Sequence, residues 1–267
     1  MVEKDCTYVV MGLLDPDSIA YYIGQTIESF GGKVVFTAQN ERMKRLFLDR
    51  SKKLSEDERA RLDIRYCDVT NEDEVKALFS ELNKISGVVH SIAYVNPKTG
   101  LGDDFHTDAV EDLKDGFNIS CVSLATVTRY AQHSMTKGGS VVAMTFDTKH
   151  VFPFYNWMGV NKAALEAIVR GLARRHGRDL IRINAVSAGP LATKAAKNIP
   201  GFSELGHTWE QTSPLPWDVE ADKQQVANAV AFFLGPYSQK ITGEILYVDG
   251  GASHTGGQIL AHERVSE

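Results

Sequence analysis

The chain is poor in cysteine. Cys6, Cys67 and Cys121 are spread over 267 residues, an odd number with no close pair. That excludes a disulfide framework and a metal site built from paired thiolates. It lacks any apolar run near the roughly 20 residues that span a bilayer. Its first residues, MVEKDCTYVV, carry charge and enter a strand at once, unlike a secretory leader. It also lacks a basic excess: 29 Lys and Arg stand against 34 Asp and Glu, for a formal net charge of −5. A dedicated nucleic-acid binder carries a basic face, so neither nucleic acid nor membrane is expected as a partner, and a reducing, cytoplasmic setting is the default. No internal repeat, Pro-rich linker or low-complexity tract divides the chain. Its length suits a single α/β domain.

Seven short apolar runs are present, at 7–11, 33–38, 63–69, 86–93, 140–146, 181–189 and 244–251. They are rich in Val and Ile, continuous rather than alternating, and bounded by Gly, Asp or Pro. Strands of a parallel sheet covered on both faces read this way. Helix-like stretches lie between them. In 18–30, Ile19, Ala20, Ile23, Gly24, Ile27 and Phe30 mark one apolar face; 72–84, 108–135, 155–175 and 222–234 read similarly. This alternation predicts a Rossmann-type, doubly wound parallel seven-stranded sheet in a single domain over 1–267. The charged stretch 42–61 reads as a solvated helix and loop. Residues 190–217 carry four prolines and two glycines and read as a long irregular loop, more often a lid than filler; the lid is placed at about 191–217.

The first strand ends in Gly12 and a helix begins near Ser18. A helix N-terminus after a first strand offers free N–H groups and a positive dipole end to a pyrophosphate. The usual glycine-rich fingerprint is not intact, since only Gly12 and Gly24 remain, and an ordinary turn capped by Asp17 or Ser18 fits as well. Other strand ends add to the signal: Gln39-Asn40, Asp68-Val69, Ser91-Ile92-Ala93 and Ala188-Gly189-Pro190. Asp68 suits an adenine amine, or equally a turn before the helix near Asn71. Gln39 and Asn40 are neutral at the tip after the second strand, and Arg42, Lys44 and Arg45 lie beyond it. NADH is therefore favoured over NADPH.

Tyr155 and Lys162 stand seven apart in FYNWMGVNKAALE. On a helix both side chains share a face, about 10 Å apart along the axis. The phenol can donate to a carbonyl turning into an oxyanion. The ammonium can lower the phenol's pKa through space and grip a sugar diol.

With that pair and these strand ends, the chain resembles the short-chain dehydrogenase/reductase superfamily. Within it, the chain is similar to the enoyl-acyl-carrier-protein reductases of bacterial fatty-acid synthesis. The carrying segments are Gly12 with Ser18-Ile19-Ala20, CDV at 67–69, HSIA at 90–93, PFYNWMGVNKAALE at 153–166, AGPLAT at 188–193 and VDGG at 248–251. The resemblance implies NADH-dependent reduction of a trans-2-enoyl thioester carried on acyl carrier protein, by a homotetramer. It implies that Tyr155 and Lys162 are catalytic, with Lys162 on the nicotinamide ribose. Gly12, Ser18 and Ile19 would line the pyrophosphate, Gln39 the ribose, and Asp68 and Val69 the adenine. Ser91, Ile92, Ala93, Pro190, Leu191 and Thr193 would complete the cofactor site, and Phe146, Val95 and Met158 would meet the substrate.

The chain departs from the family pattern in three places. Phe146 stands where many bacterial members have a second tyrosine, as in the mycobacterial long-chain branch, yet the loop at 194–212 looks shorter than in that branch. Val142 occupies the position, 13 residues before the tyrosine, of the serine that assists ketone reduction; the next hydroxyl is Thr145. Asn118 resembles the asparagine of the ketoreductase proton relay, or a plain helix residue. A 3-ketoacyl or other carbonyl reductase, and a silent NAD-binding member, remain as alternatives. Lys194 and Lys197 are candidates for a basic rim toward the acidic carrier protein.

Overall fold

Buried Val and Ile on successive strands leave the sheet no wet face, so helices must cover both sides. The computed structural model shows that arrangement and describes residues 1–102 and 104–255. In chain order it runs β1 (Thr7–Met11), α1 (Ile19–Ser29), β2 (Lys33–Ala38), α2 (Glu41–Met43), α3 (Glu56–Arg61), β3 (Ile64–Tyr66), α4 (Glu72–Glu81) and β4 (Gly87–His90). It continues α5 (Pro97–Gly100), α6 (Val110–Phe117), α7 (Ser123–Ala131), β5 (Gly139–Thr145), α8 (Asn156–His176), β6 (Ile181–Ala188), α9 (Phe202–Thr212), α10 (Lys223–Leu234) and β7 (Ile245–Val248). The seven strands are parallel in the order β3-β2-β1-β4-β5-β6-β7. The order reverses between β1 and β4, the switch point where such sheets bind ligands.

Two cores flank the sheet. On one face Ala20, Ile23 and Ile27 of α1 meet Val226, Val230 and Phe233 of α10 over Val10, Val142 and Val186. On the other, Val75 and Leu78 of α4, Leu124 and Val127 of α7, and Leu165 and Val169 of α8 cover Val9, Val88, Val141 and Ile183. Gly24 allows α1 to lie close to β2, because a Cβ there would stand 2.1 Å from the Phe36 ring.

Two readings of the sequence are corrected. The charged stretch is not simply a solvated helix. After α2 the chain makes a π-helical turn, Lys44–Leu48, in which Leu48 is buried. Phe47 lies under the Lys194 ammonium at 4.3 Å, and Lys53 pairs with Asp17 at 2.6 Å. The segment 190–217 is not irregular throughout, since α9 occupies eleven of its residues. Phe202, Leu205 and Trp209 follow helical spacing, with Leu205 and Trp209 joining the first core. Among the described residues no helix is long and apolar enough to cross a membrane.

Candidate active site

The cradle at the switch point is built from backbone. Gly12 follows β1 with φ +92°, and a Cβ on it would stand 2.2 Å from the Ser91 carbonyl oxygen. Only glycine allows the ends of β1 and β4 to come so close. Ile92 packs beside the same turn, its Cγ1 3.3 Å from that Cβ position. Ser18 is the N-cap of α1, yet its side chain makes no cap bond; its hydroxyl donates to the Asp15 carbonyl at 2.6 Å. The Tyr21 amide donates to Ser18 O at 3.0 Å, and the Ile19 and Ala20 amides before it suit an anion.

The strand ends of β2 and β3 are tied together by side chains. Gln39 Nε2 donates to Asp68 Oδ2 at 2.9 Å, and Thr70 donates to Asp68 Oδ1 from its backbone N–H and its hydroxyl. Burial pulls the Asp68 carboxyl upward, but these bonds outweigh it and hold the group below its ordinary value. Asp68 does not cap α4; Asn71 does, accepting from the Asp73 and Glu74 amides. Val69 is buried beside it. On the opposite wall Pro190 accepts from Trp217 Nε1 at 2.8 Å. Leu191 is buried, and Thr193 Oγ1 accepts from the Ala196 amide at 3.1 Å, leaving its hydroxyl proton to donate. This arrangement fits a nicotinamide dinucleotide: a turn without a Cβ, an uncapped helix start and polar groups at both ends.

Tyr155 is the N-cap of α8, and Phe154 before it holds a left-handed φ of +64°. Such a backbone persists only where neighbours over-determine it. Here Gly102 donates to Phe154 O at 3.0 Å, Asn156 Nδ2 donates to Gly102 O and Asp104 O at 3.0 Å, and Trp157 Nε1 donates to Phe105 O at 3.0 Å. The turn that aims Tyr155 is thereby fixed. Burial pushes the phenol above its ordinary range, opposite to the lowering by Lys162 that the sequence led one to expect. Tyr155 is thus an un-ionised donor at neutral pH. Lys162 is buried and donates from Nζ to Met144 O at 2.9 Å. Burial pulls it down to about 8, with nearby Cys121 and Glu166 acting the other way. Glu166, one turn on, accepts from Thr145 Oγ1 at 3.0 Å and Thr148 Oγ1 at 2.8 Å. The Thr145 hydroxyl is therefore committed to a buried carboxylate, and Val142 lies wholly in the core.

Phe146 lies 5.0 Å from the Tyr155 ring, 4.9 Å from Phe152 and 5.6 Å from Trp209, centre to centre. Trp209 is fixed by donation from Nε1 to Asp249 O at 3.0 Å. Phe152 and Trp209 also line a cavity of about 330 Å³ between the 147–154 segment, α9 and residues 252–255, with Leu205 on its apolar wall and Asp147, His150 and Glu204 on its polar rim. Met158 is buried in the first turn of α8. Val95 is buried against Gly100 and Gly116, and Ala93 is exposed after β4. Asn118 is exposed at the start of the π turn between α6 and α7. Sequence reading missed Phe152, Trp209, His90 and Glu166. Helical spacing from Leu205 would have found Trp209, and opposite charges four apart would have flagged Glu166 beside Lys162.

Fold and site together fit one class, a nicotinamide-dependent oxidoreductase carrying a tyrosine and a lysine on one helix. Comparison with known proteins narrows it. Residues 12–253 match the family model described as enoyl-(acyl carrier protein) reductase, and the chain belongs to that family. It is 36% identical over 254 residues to the Bacillus cereus enoyl-acyl-carrier-protein reductase (NADH) FabI, covering 92% of this chain and 95% of that protein. It is 36% identical to the Staphylococcus aureus enzyme named for NADPH, with the same coverage, and 34% identical to the Mycolicibacterium smegmatis enzyme named for NADH, covering 92% and 95%. A Bacillus cereus enoyl-acyl carrier protein reductase solved with NADP+ and an indole naphthyridinone superposes with a TM-score of 0.86 at 33% identity, covering 95% of this chain and 98% of that one.

Proposed function

We propose that the protein reduces trans-2-enoyl thioesters carried on acyl carrier protein to saturated acyl thioesters in type II fatty-acid synthesis, with NADH as reductant. The observation that carries this reading is the single phenol donor. Val142 is sealed in the core and the Thr145 hydroxyl is held by Glu166, so Tyr155 meets the substrate oxygen without the serine that ketone reduction uses. When bound, the dihydronicotinamide supplies hydride to C3 of the enoyl group. Tyr155 donates its hydrogen bond to the thioester oxygen, where negative charge gathers as an enolate, and the enolate takes a proton at C2, from solvent or through Tyr155, to give the saturated thioester. Lys162 grips the cofactor ribose and adds a positive field. Phe146, Val95 and Met158 pack on the substrate, and residues 191–217, with α9, close over it. A 3-ketoacyl reductase is the second reading, which the committed Thr145 disfavours.

Lys162→Ala should raise the NADH dissociation constant about 10–100-fold, because a charge-assisted hydrogen bond is worth about 1.5–3 kcal/mol. Nicotinamide fluorescence checks it, and unchanged affinity would remove the ribose anchor. For cofactor choice, Gln39 spends its amide N–H on Asp68, leaving an acceptor that suits a ribose hydroxyl and repels a phosphate. Lys44 is paired with Asp49 at 2.8 Å. Gln39→Arg should raise the NADPH/NADH ratio of kcat/KM by about tenfold or more, the value of one charged bond to phosphate; an unchanged ratio would place the specificity elsewhere. Exposed Val110, Phe117 and Val160 on α6 and α8 support a homotetramer formed through those helices. Lys194 and Lys197 flank the lid as a basic rim for the carrier protein, with Lys194 resting on Phe47.

A further inference from the structure

His90, the last residue of β4, is 0% exposed. Strand alternation turns it to the face covered by α7 and α8, beside its register partner Ala143 on β5. Its Nε2 lies 2.8 Å from Ser123 Oγ, and the Ser123 hydroxyl donates to Ile119 O at 2.7 Å. A hydroxyl has one proton. The imidazole must therefore donate from Nε2, which leaves Nδ1 a bare acceptor. No hydrogen-bond partner reaches that nitrogen. Burial, with the Lys162 charge adding to it, lowers the ring to about 3 and keeps it neutral.

Lys162 has the opposite deficit. An ammonium carries three donors, and the Met144 carbonyl, one residue beyond Ala143, takes one. The other charged or titratable groups around it do not accept from it. Glu166 bonds Thr145 through one oxygen and Thr148 through the other, and takes no hydrogen bond from Lys162. The Cys121 thiol, from the π turn, donates to Phe117 O and is pushed up to about 11 by burial. Tyr155 at the head of α8 is un-ionised. A buried acceptor without a partner and a buried cation short of acceptors, on one face of the sheet, are the setting in which proteins hold an internal water.

We propose that a buried water joins the two, donating one hydrogen to His90 Nδ1 and accepting one from Lys162 Nζ, so that His90 is a positioning residue for the cofactor-binding lysine. The inference rests on Lys162 as the ribose anchor. The water gives the ammonium a second partner beneath the cofactor, and keeps it charged and aimed where burial alone favours the neutral amine.

The test is NADH affinity from pH 6 to 10, read by nicotinamide fluorescence and independent of turnover. Affinity should fall on the alkaline side as Lys162 loses its proton. His90→Phe should move that fall about one pH unit lower, so that above the break NADH binds about tenfold more weakly than to the unmodified protein while the two agree at pH 6. His90→Asn places an amide oxygen where Nδ1 stands and should restore the profile. His90→Gln reaches toward Ser123 instead and should behave like Phe. The Asn and Gln pair decides the matter by itself if the Phe variant fails to fold. Superimposed profiles for His90→Phe and the unmodified protein, or rescue by Gln and not by Asn, would overturn the proposal. If Lys162→Ala left the profile unchanged, the anchor reading itself would fall. If Lys162→Ala abolished the alkaline fall and His90→Phe did not move it, the buried water alone would be wrong.

Discussion

Tyr155→Phe lowers turnover of a trans-2-enoyl thioester by about 10²–10³-fold, the cost of removing one preset donor to a developing oxyanion. On the proposed roles, with the phenol on the substrate and Lys162 on the ribose, NADH affinity stays within about twofold. The ring itself is kept: Phe still packs on Phe146, whose ring centre is 5.0 Å away, and the Phe154 turn is held by backbone bonds that do not involve the hydroxyl. The loss therefore falls on kcat. The pH dependence has a definite sign. The phenol lies above its ordinary range, so its ionisation imposes no loss near neutrality. Lys162, pulled down to about 8 in the folded chain, loses its proton first as pH rises. The burial cost of its charge is fully present below about 8, and is relieved as pH climbs toward the ordinary lysine value. Activity and NADH affinity fall across that window. Equal turnover by the Phe variant would end the donor role, and a pH-independent NADH affinity would end that of the ammonium.

Gly12→Val is the second large effect. A β-branched residue at φ +92° is strained, and its Cβ would lie 2.2 Å from the Ser91 carbonyl oxygen. That oxygen belongs to backbone and cannot swing away. Moving the turn would break the bonds from the Gly12 amide to Thr37 O, 3.2 Å, and from the Ser91 amide to Met11 O, 3.3 Å. Backbone strain and overpacking together cost about 3–5 kcal/mol, which in a domain of this size lowers Tm by roughly 10 °C. The cofactor cradle is lost with it. Gly171 is the control: it is exposed on α8 with nothing within 4 Å of its Cβ position, and Gly171→Ala should hold or raise Tm. Calorimetry with and without NADH reads both. A Val variant that melts and binds like the unmodified protein would show that the turn is not confined by Ser91.

The sheet was legible because its strands are buried on both faces, which forces continuous Val and Ile runs such as Val9-Val10 and Val88-Val89. Each of the seven readings overlaps an observed strand, and the errors lie at the ends, where β3 stops at Tyr66 and β4 at His90. That the ends of β1 and β4 meet at the switch point was legible for the same reason, since topology brings the ends of parallel strands together. The helix α9 was hidden by the prolines and glycines around it, although Gly201, at φ +68°, is what starts it. Tertiary pairing was not legible. Local sequence does not say that Thr145 spends its hydroxyl on Glu166, that Asp68 is held by Gln39 rather than capping α4, or that Lys194 rests on Phe47. Each depends on residues far apart in the chain. The left-handed Phe154 breaks a local rule where the chain must aim Tyr155, and such breaks concentrate at working sites.

Which double bond is reduced separates an enoyl reductase from a carbonyl reductase most directly. Steady-state NADH oxidation should be followed with crotonyl and octenoyl thioesters beside acetoacetyl thioester, each on acyl carrier protein. Enoyl substrates should be turned over with kcat/KM orders of magnitude above the ketoacyl thioester, and Tyr155→Phe should abolish most of that rate. Preferential oxidation of NADH by the acetoacetyl thioester would contradict it and make the protein a carbonyl reductase.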